Sequence, residues 1–541
     1  MANQLSYHAL LKQLMPDDWR QSEVFRAGIE REMLRADAAG ELAQTPHPTS
    51  WGSAHCNTDI TLDFSEAQPE LVTPPFGDLS ALLEHLRALH GFVARRVPES
   101  DRLWFLSMPP RADEGAIPLA HFGMSNSGRL KTLYRQGLAN RYGRKMQIIC
   151  GVHFNYSWSA DFWKRLHQRV GDSRRLSVFV SENYLALSRN YLRLSWLLAY
   201  LFGATPAIDR SFLRREAPEL QDWKQQTLIA PYATSLRMSR LGYVNSSRCS
   251  SSVSFNSLTE YLSTLYQAIT TECPGYSIIG HRDENGDYRQ LNTHLLQSEA
   301  EHYALIRPKQ PPHQDERPFV ALRERGVDYV EVRALDIQPD TPLGAHPEQL
   351  EFIRLLLLYC LLLPNPPIDR EQDLENSHNH QQAALLGRQP GVMLRRESQD
   401  ISLLDWGLEV LGQLRLLAEK LDYHLINDGH YQAILERQER LLRHPEATPS
   451  ARVLEQIQSE NLEYLDWGQA VSERHLQALR AQPPTAVEAD LERHVQASLK
   501  AQQELEAASQ VPFEVYLREY GKLKPAALTE EGSGVRGEGR G

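Results

Sequence analysis

The sequence predicts an α+β fold, with a polar-faced sheet surrounded by helices and followed by a largely helical C-terminal third. Short strand-like runs, in which polar and apolar residues alternate, are concentrated in the first two-thirds of the chain. Longer runs in the same region repeat apolar residues every three and four positions, as amphipathic helices do. From about Asp405 to Arg518 the pattern is nearly all helical and highly charged.

The helices of the first two-thirds can be located individually. Asp78 is expected to cap a helix through LSALLEHLRALHGFVARRV, and a second long helix is predicted over Ser181–Leu201. The apolar run Leu355–Leu363 is too short to span a bilayer and predicts a buried helix. Breaks rich in proline or glycine are predicted at Thr73–Gly77, Arg307–Pro312 and Pro364–Pro367.

Composition excludes some classes of protein. The formal net charge of −11 over 541 residues argues against a general nucleic-acid binder. The five cysteines are scattered without a CxxC pair, which favours reduced thiols over a disulfide framework or a thiolate zinc site. The N-terminus lacks the features of a signal peptide. We therefore expect a soluble cytoplasmic protein without membrane contact.

Two of the strand-like runs carry acidic residues on one face. Side chains at positions i and i+2 of a strand point the same way, so Glu30 and Glu32 of GIEREMLR share a face. In ITLDFSEAQPELVTP, Asp63 and Phe64 are predicted to lie in a strand, and Glu70 opens the next run.

Two further runs repeat this arrangement. In QIICGVHFNYS, His153 lies on the same side as Asn155 and Ser157. In VDYVEVRALDI, Tyr329, Glu331 and Arg333 alternate with apolar residues.

If these strands belong to one antiparallel sheet, several carboxylates and a histidine gather on one surface. Crowded carboxylates repel one another, and hard oxygen ligands in excess are what Mg²⁺ uses when it bridges ATP phosphates. The alternative is a sheet with one solvated face, which antiparallel sheets commonly have. The patterning by itself thus indicates no more than a candidate multi-carboxylate metal site. His378 and His380 of HNHQQ are assigned to a polar loop rather than to a zinc site.

A series of longer blocks resembles the bacterial glutamate–cysteine ligase family. The blocks are GIEREMLR, TDITLDFSEAQPELVTP, PLAHFGMSNSGRLKTLYRQGLANRYG, MQIICGVHFNYS, NYLRLSWLLAYLFGATPAI, PYATSLRMSRLGY, ENGDYRQLNTHLLQSEAEHYALIRPK and YVEVRALDIQP. They follow in the family's order and cover roughly residues 25–345, beyond which the resemblance is weaker.

The resemblance implies a fold like the glutamine synthetase catalytic domain, in which a curved antiparallel sheet forms a funnel with helices around it. It also implies the reaction, the first step of glutathione biosynthesis. The γ-carboxylate of L-glutamate attacks the γ-phosphate of ATP, and the amine of L-cysteine then displaces phosphate from γ-glutamyl phosphate. The implied cofactor is Mg²⁺, with Mn²⁺ as the alternative ion.

The resemblance assigns roles residue by residue. The implied metal ligands are Glu30, Glu32, Asp63, Glu70, His153 and Glu331. The implied catalytic arginines are Arg333, which reaches the transferring phosphate, and Arg237, which holds a substrate carboxylate. The implied substrate pocket consists of Tyr243, Tyr303, Phe64, Leu138, Tyr134 and Arg135, the last two without a specified role.

The coverage of the resemblance suggests a division of the chain. Residues 1–345 are predicted to form the ATP- and Mg-dependent catalytic core, and residues 346–525 a mainly helical region packing on it. The Gly-rich tail at 526–541 is predicted to be disordered. The alternative for the helical region is an independent interaction module. The sequence does not fix the oligomeric state, and a monomer is compatible with it.

Three other functions stay open at this point. The nearest is a related carboxylate–amine ligase with a different amine acceptor, because a pocket separates acceptors of similar size only modestly. The others are a non-catalytic scaffold relative and a kinase of the phosphagen type that uses a similar sheet.

Overall fold

The computed structural model describes residues 24–213, 216–242, 252–313, 316–425, 429–508 and 510–522. The tail at 526–541 and the predicted pocket residue Tyr243 lie outside these ranges. Helices and antiparallel strands are mixed in the described chain, which confirms the α+β class.

The strands are short and lie mainly in the first two-thirds of the chain. They are β1 Phe25–Glu32, β2 Leu34–Asp37, β3 Ile60–Leu62, β4 Pro69–Val72, β5 Asp101–Trp104, β6 Val152–Trp158, β7 Ala207–Asp209, β8 Gln221–Asp222, β9 Thr227–Ile229, β10 Ile306–Lys309, β11 Tyr329–Leu335, β12 Met393–Arg396 and β13 Gln399–Ser402.

One sheet contains every strand whose polar face the sequence singled out. Within the described ranges it has six strands in the order β10-β11-β6-β1-β4-β3, and all neighbours are antiparallel. Smaller sheets pair β2 with β5, β12 with β13, and β7 and β8 with β9.

Helices surround the main sheet and dominate the rest of the chain. They are α1 Leu79–Arg96, α2 Asn126–Tyr142, α3 Arg144–Gln147, α4 Ala160–Val170, α5 Leu176–Phe202, α6 Leu258–Thr270, α7 Pro274–Ser277, α8 Pro318–Arg325, α9 Pro347–Leu362, α10 Arg370–Leu386, α11 Leu403–Leu425, α12 His430–Arg443, α13 Pro449–Ser459, α14 Tyr464–Ala481, α15 Ala486–Ala507 and α16 Phe513–Gly521. Short 3-10 helices are Thr49–Trp51, Glu114–Ala116, Arg210–Phe212, Glu299–Glu301 and Pro445–Ala447.

The helix predictions are confirmed. A side-chain oxygen of Asp78 accepts a hydrogen bond from the backbone N–H of Ala81 at 2.8 Å, so this aspartate caps α1 as expected. The second long helix, α5, begins five residues before the predicted start and ends one residue after the predicted end. The apolar run from Leu355 ends α9, whose residues 355–362 are all buried, as is usual for a helix that is apolar all round.

The C-terminal helices α14, α15 and α16 pack on the first part of the chain. The hydroxyl of Ser472 in α14 accepts a hydrogen bond from the N–H of Phe105, next to β5, at 3.2 Å. In α16, Phe513 clusters with Leu130 and Leu133 of α2. The division of the chain at residue 345 stays a prediction.

Three local predictions are wrong. Residues 307–309, predicted as part of a break, belong to β10, which lies at the edge of the main sheet, where a proline such as Pro308 is tolerated because one side of the strand is unpaired. His378 and His380 lie in α10 rather than in a loop, because Asp369 caps that helix. Cys273 is disulfide-bonded, so the expectation of reduced thiols fails there.

Candidate active site

Acidic side chains from neighbouring strands converge on one face of the main sheet. Glu30 of β1 stands opposite His153 of β6, and Glu32 stands opposite Glu70 of β4. Glu331 comes from β11, on the other side of β6. The period-two alternation seen in the sequence therefore brings these five groups to one surface.

The buried ring of His153 lies at the centre of this cluster. Its Nδ1 atom is 3.2 Å from Oε2 of Glu30 and 3.5 Å from Oε1 of Glu331. Its Nε2 atom is 3.5 Å from Oε1 of Glu32. One imidazole thus lies close to three carboxylates, two from β1 and one from β11.

Two groups in this cluster have the composition of a site for a hard divalent cation. Ligand atoms of Glu30, His153 and Glu331 lie within 4.8 Å of one another, and so do those of Glu32, Glu70 and His153. Carboxylate oxygens with one imidazole fit Mg²⁺ or Mn²⁺. Among the described residues, these two groups contain five of the six predicted metal ligands.

Asp63, the sixth predicted ligand, lies outside both groups. It was predicted to be in a strand with Phe64, but β3 ends at Leu62 and both residues lie in the turn that follows. The turn is held from α2, because the guanidinium of Arg135 donates hydrogen bonds to the carbonyls of Asp63 and Leu62.

Burial and the crowding of carboxylates raise the pKa of two of them. Burial, followed by the charges of Glu30, Asp63 and Glu32, raises the pKa of Glu70 well above its ordinary value. Burial and the charge of Glu32 raise the pKa of Asp63 to about 6. A divalent cation bound among these groups would favour their ionised forms and remove this cost.

Cations surround the other end of the cluster. Burial of Glu331 opposes its ionisation, yet the charges of Arg333 and Lys309 hold the pKa of this carboxyl well below its ordinary value. Arg333 donates a hydrogen bond to Oε1 of Glu331 at 2.7 Å, and Nζ of Lys309 is 3.3 Å from Oε2. Lys309 was missed in the sequence because it lies in the segment predicted as a break.

The backbone of β11 is irregular where it carries Arg333. Val332 pairs with Phe154 and Leu335 with Val152, so β11 contains one extra residue between these two pairs. Such bulges re-aim side chains and are frequent beside active sites.

Arg237 is buried directly beneath this region. Its NH2 group donates a hydrogen bond to the carbonyl of Arg333 at 3.2 Å, and its NH1 group is 3.7 Å from Oδ1 of Asp336. A Cβ atom on Gly151 would lie 2.0 Å from NH2 of Arg237, so only glycine permits this approach. The N–H of Gly151 also donates to Oε2 of Glu32 at 2.7 Å.

The described residues that were predicted to form the substrate pocket lie on α2 or on segments next to it. Tyr134, Arg135 and Leu138 lie on this helix, and Arg135 anchors the turn that carries Phe64. Tyr303 approaches from the segment before β10, and its hydroxyl donates a hydrogen bond to Gln147 at 2.8 Å.

A cavity of about 900 Å³ opens beside the acidic cluster. Four predicted site residues line it, namely His153, Arg237, Tyr303 and Arg333. A face of α10 forms another wall, with Arg370, Asp373, Asn376, Ser377, His380 and Gln381. These residues were not predicted, because the polar stretch around His378 and His380 was assigned to a loop.

His302 is a further lining residue that the sequence did not indicate. Burial, followed by the charges of Arg307 and Arg333, lowers the pKa of His302 to about 3. The imidazole is therefore neutral at physiological pH.

The chain is similar to known glutamate–cysteine ligases. The family model for glutamate–cysteine ligase matches residues 12–383. The glutamate–cysteine ligases of Janthinobacterium sp. (strain Marseille) and Bordetella petrii are 41% and 42% identical over 507 and 514 residues. These alignments cover 93% and 94% of this chain and 96% and 95% of the relatives. A crystal structure of the Francisella tularensis glutamate–cysteine ligase in complex with AMP is similar with a TM-score of 0.86 at 32% identity, covering 92% of this chain and 98% of that one.

The chain belongs to the glutamate–cysteine ligase family.

Membership of the glutamate–cysteine ligase family confirms the activity predicted from the sequence. The chain is a ligase that joins glutamate to cysteine in the first step of glutathione biosynthesis. The family match extends past residue 345 and includes most of α10, whose polar face lines the cavity. Among the described residues, no helix has the length and apolar character required to cross a membrane.

Proposed function

We propose that glutamate, ATP and cysteine react on the acidic face of the main sheet. An oxygen of the glutamate γ-carboxylate attacks the γ-phosphorus of ATP, giving γ-glutamyl phosphate and ADP. The cysteine amine then attacks the acyl carbon, phosphate leaves, and the amine loses a proton as the amide forms. The observation that carries this proposal is the meeting of the acidic cluster with Arg237 and Arg333 at a cavity of about 900 Å³.

Phosphoryl transfer requires mainly positioning and charge neutralisation from the protein. Mg²⁺, or Mn²⁺ as the alternative ion, would be held by Glu30, Glu32, Asp63, Glu70, His153 and Glu331 and would neutralise phosphate charge when bound. The donor set supports this assignment, because five of these groups already lie close together and two of the six carry raised pKa values.

The two arginines are proposed to bind anionic groups of the substrates. Arg333 is positioned by Glu331 and borders the cavity, where its charge can stabilise the phosphoryl group during transfer. Arg237 is rigidly buried, and its planar guanidinium suits the carboxylate of glutamate.

Cysteine is proposed to bind on the α2 side of the acidic cluster. Phe64 and Leu138 supply apolar surface, while Tyr134, Arg135 and Tyr303 supply polar groups. A pocket of this mixed character suits an amino acid with a small thiol side chain.

The finer features of the fold are proposals as well. The six-stranded sheet is proposed to line a funnel like that of glutamine synthetase, supported by the acidic face and the surrounding helices. ATP as the nucleotide is supported by the AMP bound to the Francisella tularensis relative. The cytoplasmic location and the monomeric state stay predictions.

The acyl-phosphate route can be tested by isotope transfer. The enzyme is incubated with ATP, Mg²⁺, cysteine and glutamate whose γ-carboxylate carries heavy oxygen. The proposal predicts that one heavy oxygen per turnover appears in the released phosphate. Product formation without label in phosphate would exclude γ-glutamyl phosphate as the intermediate.

A further inference from the structure

A buried carboxylate outside the acidic cluster connects the two sides of the proposed cysteine pocket. Glu301 is fully buried, and its Oε1 atom accepts hydrogen bonds from Arg141 at 2.9 Å and from the hydroxyl of Tyr142 at 2.7 Å. Both donors belong to the C-terminal end of α2. Its Oε2 atom accepts from the backbone N–H of Gln297 at 2.7 Å.

Gln297 links Glu301 to the middle of α2. Its side-chain amide donates to the carbonyl of Tyr134 at 3.3 Å. It reaches this position because Gly137 has no side chain, since a Cβ atom there would lie 1.8 Å from Oε1 of Gln297. A glycine inside a helix costs about 1 kcal/mol relative to alanine and commonly has a packing reason of this kind.

The same network reaches the other wall of the pocket. The ring of Tyr142 packs edge-on against the ring of Tyr303, with centroids 6.2 Å apart. Tyr303 follows Glu301 by two positions, so the carboxylate that binds α2 also fixes the segment carrying Tyr303.

We propose that Glu301 is a positioning residue for the cysteine pocket. It holds Tyr134, Arg135 and Leu138 on α2 at a fixed distance from Tyr303, and so sets the affinity for the amine acceptor. This inference rests on the proposed location of the cysteine pocket. The proposed contacts of ATP and glutamate are the metal ligands, Arg333 and Arg237, which are not among the partners of Glu301 described above.

Replacing Glu301 by glutamine preserves its shape but not its hydrogen bonding. The carboxylate accepts on both oxygens, whereas an amide has an acceptor at one end only. In either orientation an NH₂ group faces a donor, which is the N–H of Gln297 or the side chains of Arg141 and Tyr142. The network must therefore open on one side of the pocket.

The chain offers a matched control two positions away. Glu299 is also buried and also accepts on both oxygens, from Arg317 at 3.1 and 2.6 Å and from the N–H of Phe319 at 3.1 Å. Among the described residues, neither of these partners forms a hydrogen bond with a residue of α2. Glu299→Gln therefore loses an equivalent set of hydrogen bonds without disturbing the acceptor site.

The experiment compares steady-state kinetics of the wild type, Glu301→Gln and Glu299→Gln. For Glu301→Gln we expect the KM for cysteine to rise about tenfold relative to Glu299→Gln, because hydrogen bonds to a buried charge are lost. The KM values for ATP and glutamate should stay within about twofold, and kcat within about threefold. Tyr142→Phe and Gly137→Ala should shift the cysteine KM in the same direction by about threefold.

Several results would overturn the inference. One is a cysteine KM that is equal in the two glutamine variants, and another is a parallel rise in the KM for ATP and glutamate. If Glu301→Gln does not fold, unchanged cysteine KM values in both Tyr142→Phe and Gly137→Ala would overturn it instead. A wild type that turns over no amine would refute the proposed function itself, and is recognised before any variant is measured.

Discussion

Replacing Asp63 by asparagine is expected to stabilise the metal-free protein while impairing catalysis. The carboxyl of Asp63 lies close enough to Glu32 and Glu70 to feel their charges, and burial together with the charge of Glu32 raises its pKa from 3.8 to about 6. Ionising this carboxyl in the folded protein therefore costs free energy, whereas a neutral asparagine of the same shape avoids that cost. Functional sites often hold groups that lower stability in this way.

The sign and size of the effect follow from linkage. Below pH 3.8 the carboxyl is protonated in both the folded and the unfolded chain, so the substitution changes little. Between pH 3.8 and about 6, Asp63 ionises in the unfolded chain before it ionises in the folded one, which lowers the free energy of unfolding. This loss of stability is complete above pH 6. A rise of roughly two pKa units corresponds to at most about 3 kcal/mol, since Asp63 is partly exposed. For a chain of this length that unfolds as one unit, this equals about 3 °C in Tm.

The assay is thermal unfolding in EDTA at about pH 4 and pH 7.5, with the exposed Asp400→Asn as the control. We expect a Tm increase for Asp63→Asn at the higher pH only, and no change above roughly 0.5 kcal/mol for the control. Added Mg²⁺ and ATP should stabilise the wild type more than the variant, because binding stabilises the folded state. A lower Tm for Asp63→Asn in EDTA at pH 7.5 would show that the ionised Asp63 does not destabilise the metal-free protein, because protein contacts would then stabilise the carboxylate.

Three further predictions concern single side chains. Arg237→Lys should raise the KM for glutamate by tenfold or more in steady-state assays, because an ammonium cannot reproduce the planar fork; an unchanged KM would remove Arg237 from the glutamate site. Leu356→Ala, at a fully buried position of α9, should lower the free energy of unfolding by about 2–5 kcal/mol, and a loss under about 1 kcal/mol in denaturant titrations would contradict its core position. Asp78→Ala should cost about 1 kcal/mol through loss of the α1 cap, with Asp78→Asn retaining most of it; equal loss in both would contradict capping.

The alternation of side chains along strands was the part of the site that sequence could predict. Glu30 and Glu32 share a face because they are two positions apart, and His153 and Glu331 follow the same rule in their own strands. Patterning does not say which strands are neighbours. The resemblance to the family implied one antiparallel sheet and the set of ligands but no strand order, so the pairing of β1 with β4 and β6 is known from the structure alone.

Local patterns failed where a distant part of the chain decides the structure. Asp63 and Phe64 looked like strand residues, but the turn there is held by Arg135 of α2, seventy-two positions away. Pro308 suggested a break, yet an edge strand has one unpaired side and accepts it.

The cavity wall on α10 was missed for a similar reason. In the sequence, the polar residues around His378 and His380 of this helix were assigned to a loop. These residues become candidates for a functional role only because the helix packs beside a cavity that Arg237 and Arg333 also line. No local feature of the sequence carries that information.

The ligase activity itself is tested by measuring ADP release by the wild-type enzyme with ATP, Mg²⁺ and glutamate, with and without cysteine, and by determining the masses of the products. We expect cysteine-dependent ADP release, an equal amount of γ-glutamylcysteine, and slower turnover when 2-aminobutyrate replaces cysteine. ADP release with another amine alone would contradict the assigned acceptor. A stable phosphorylated product without a new amide, or no ADP with any amine, would contradict the ligase chemistry itself.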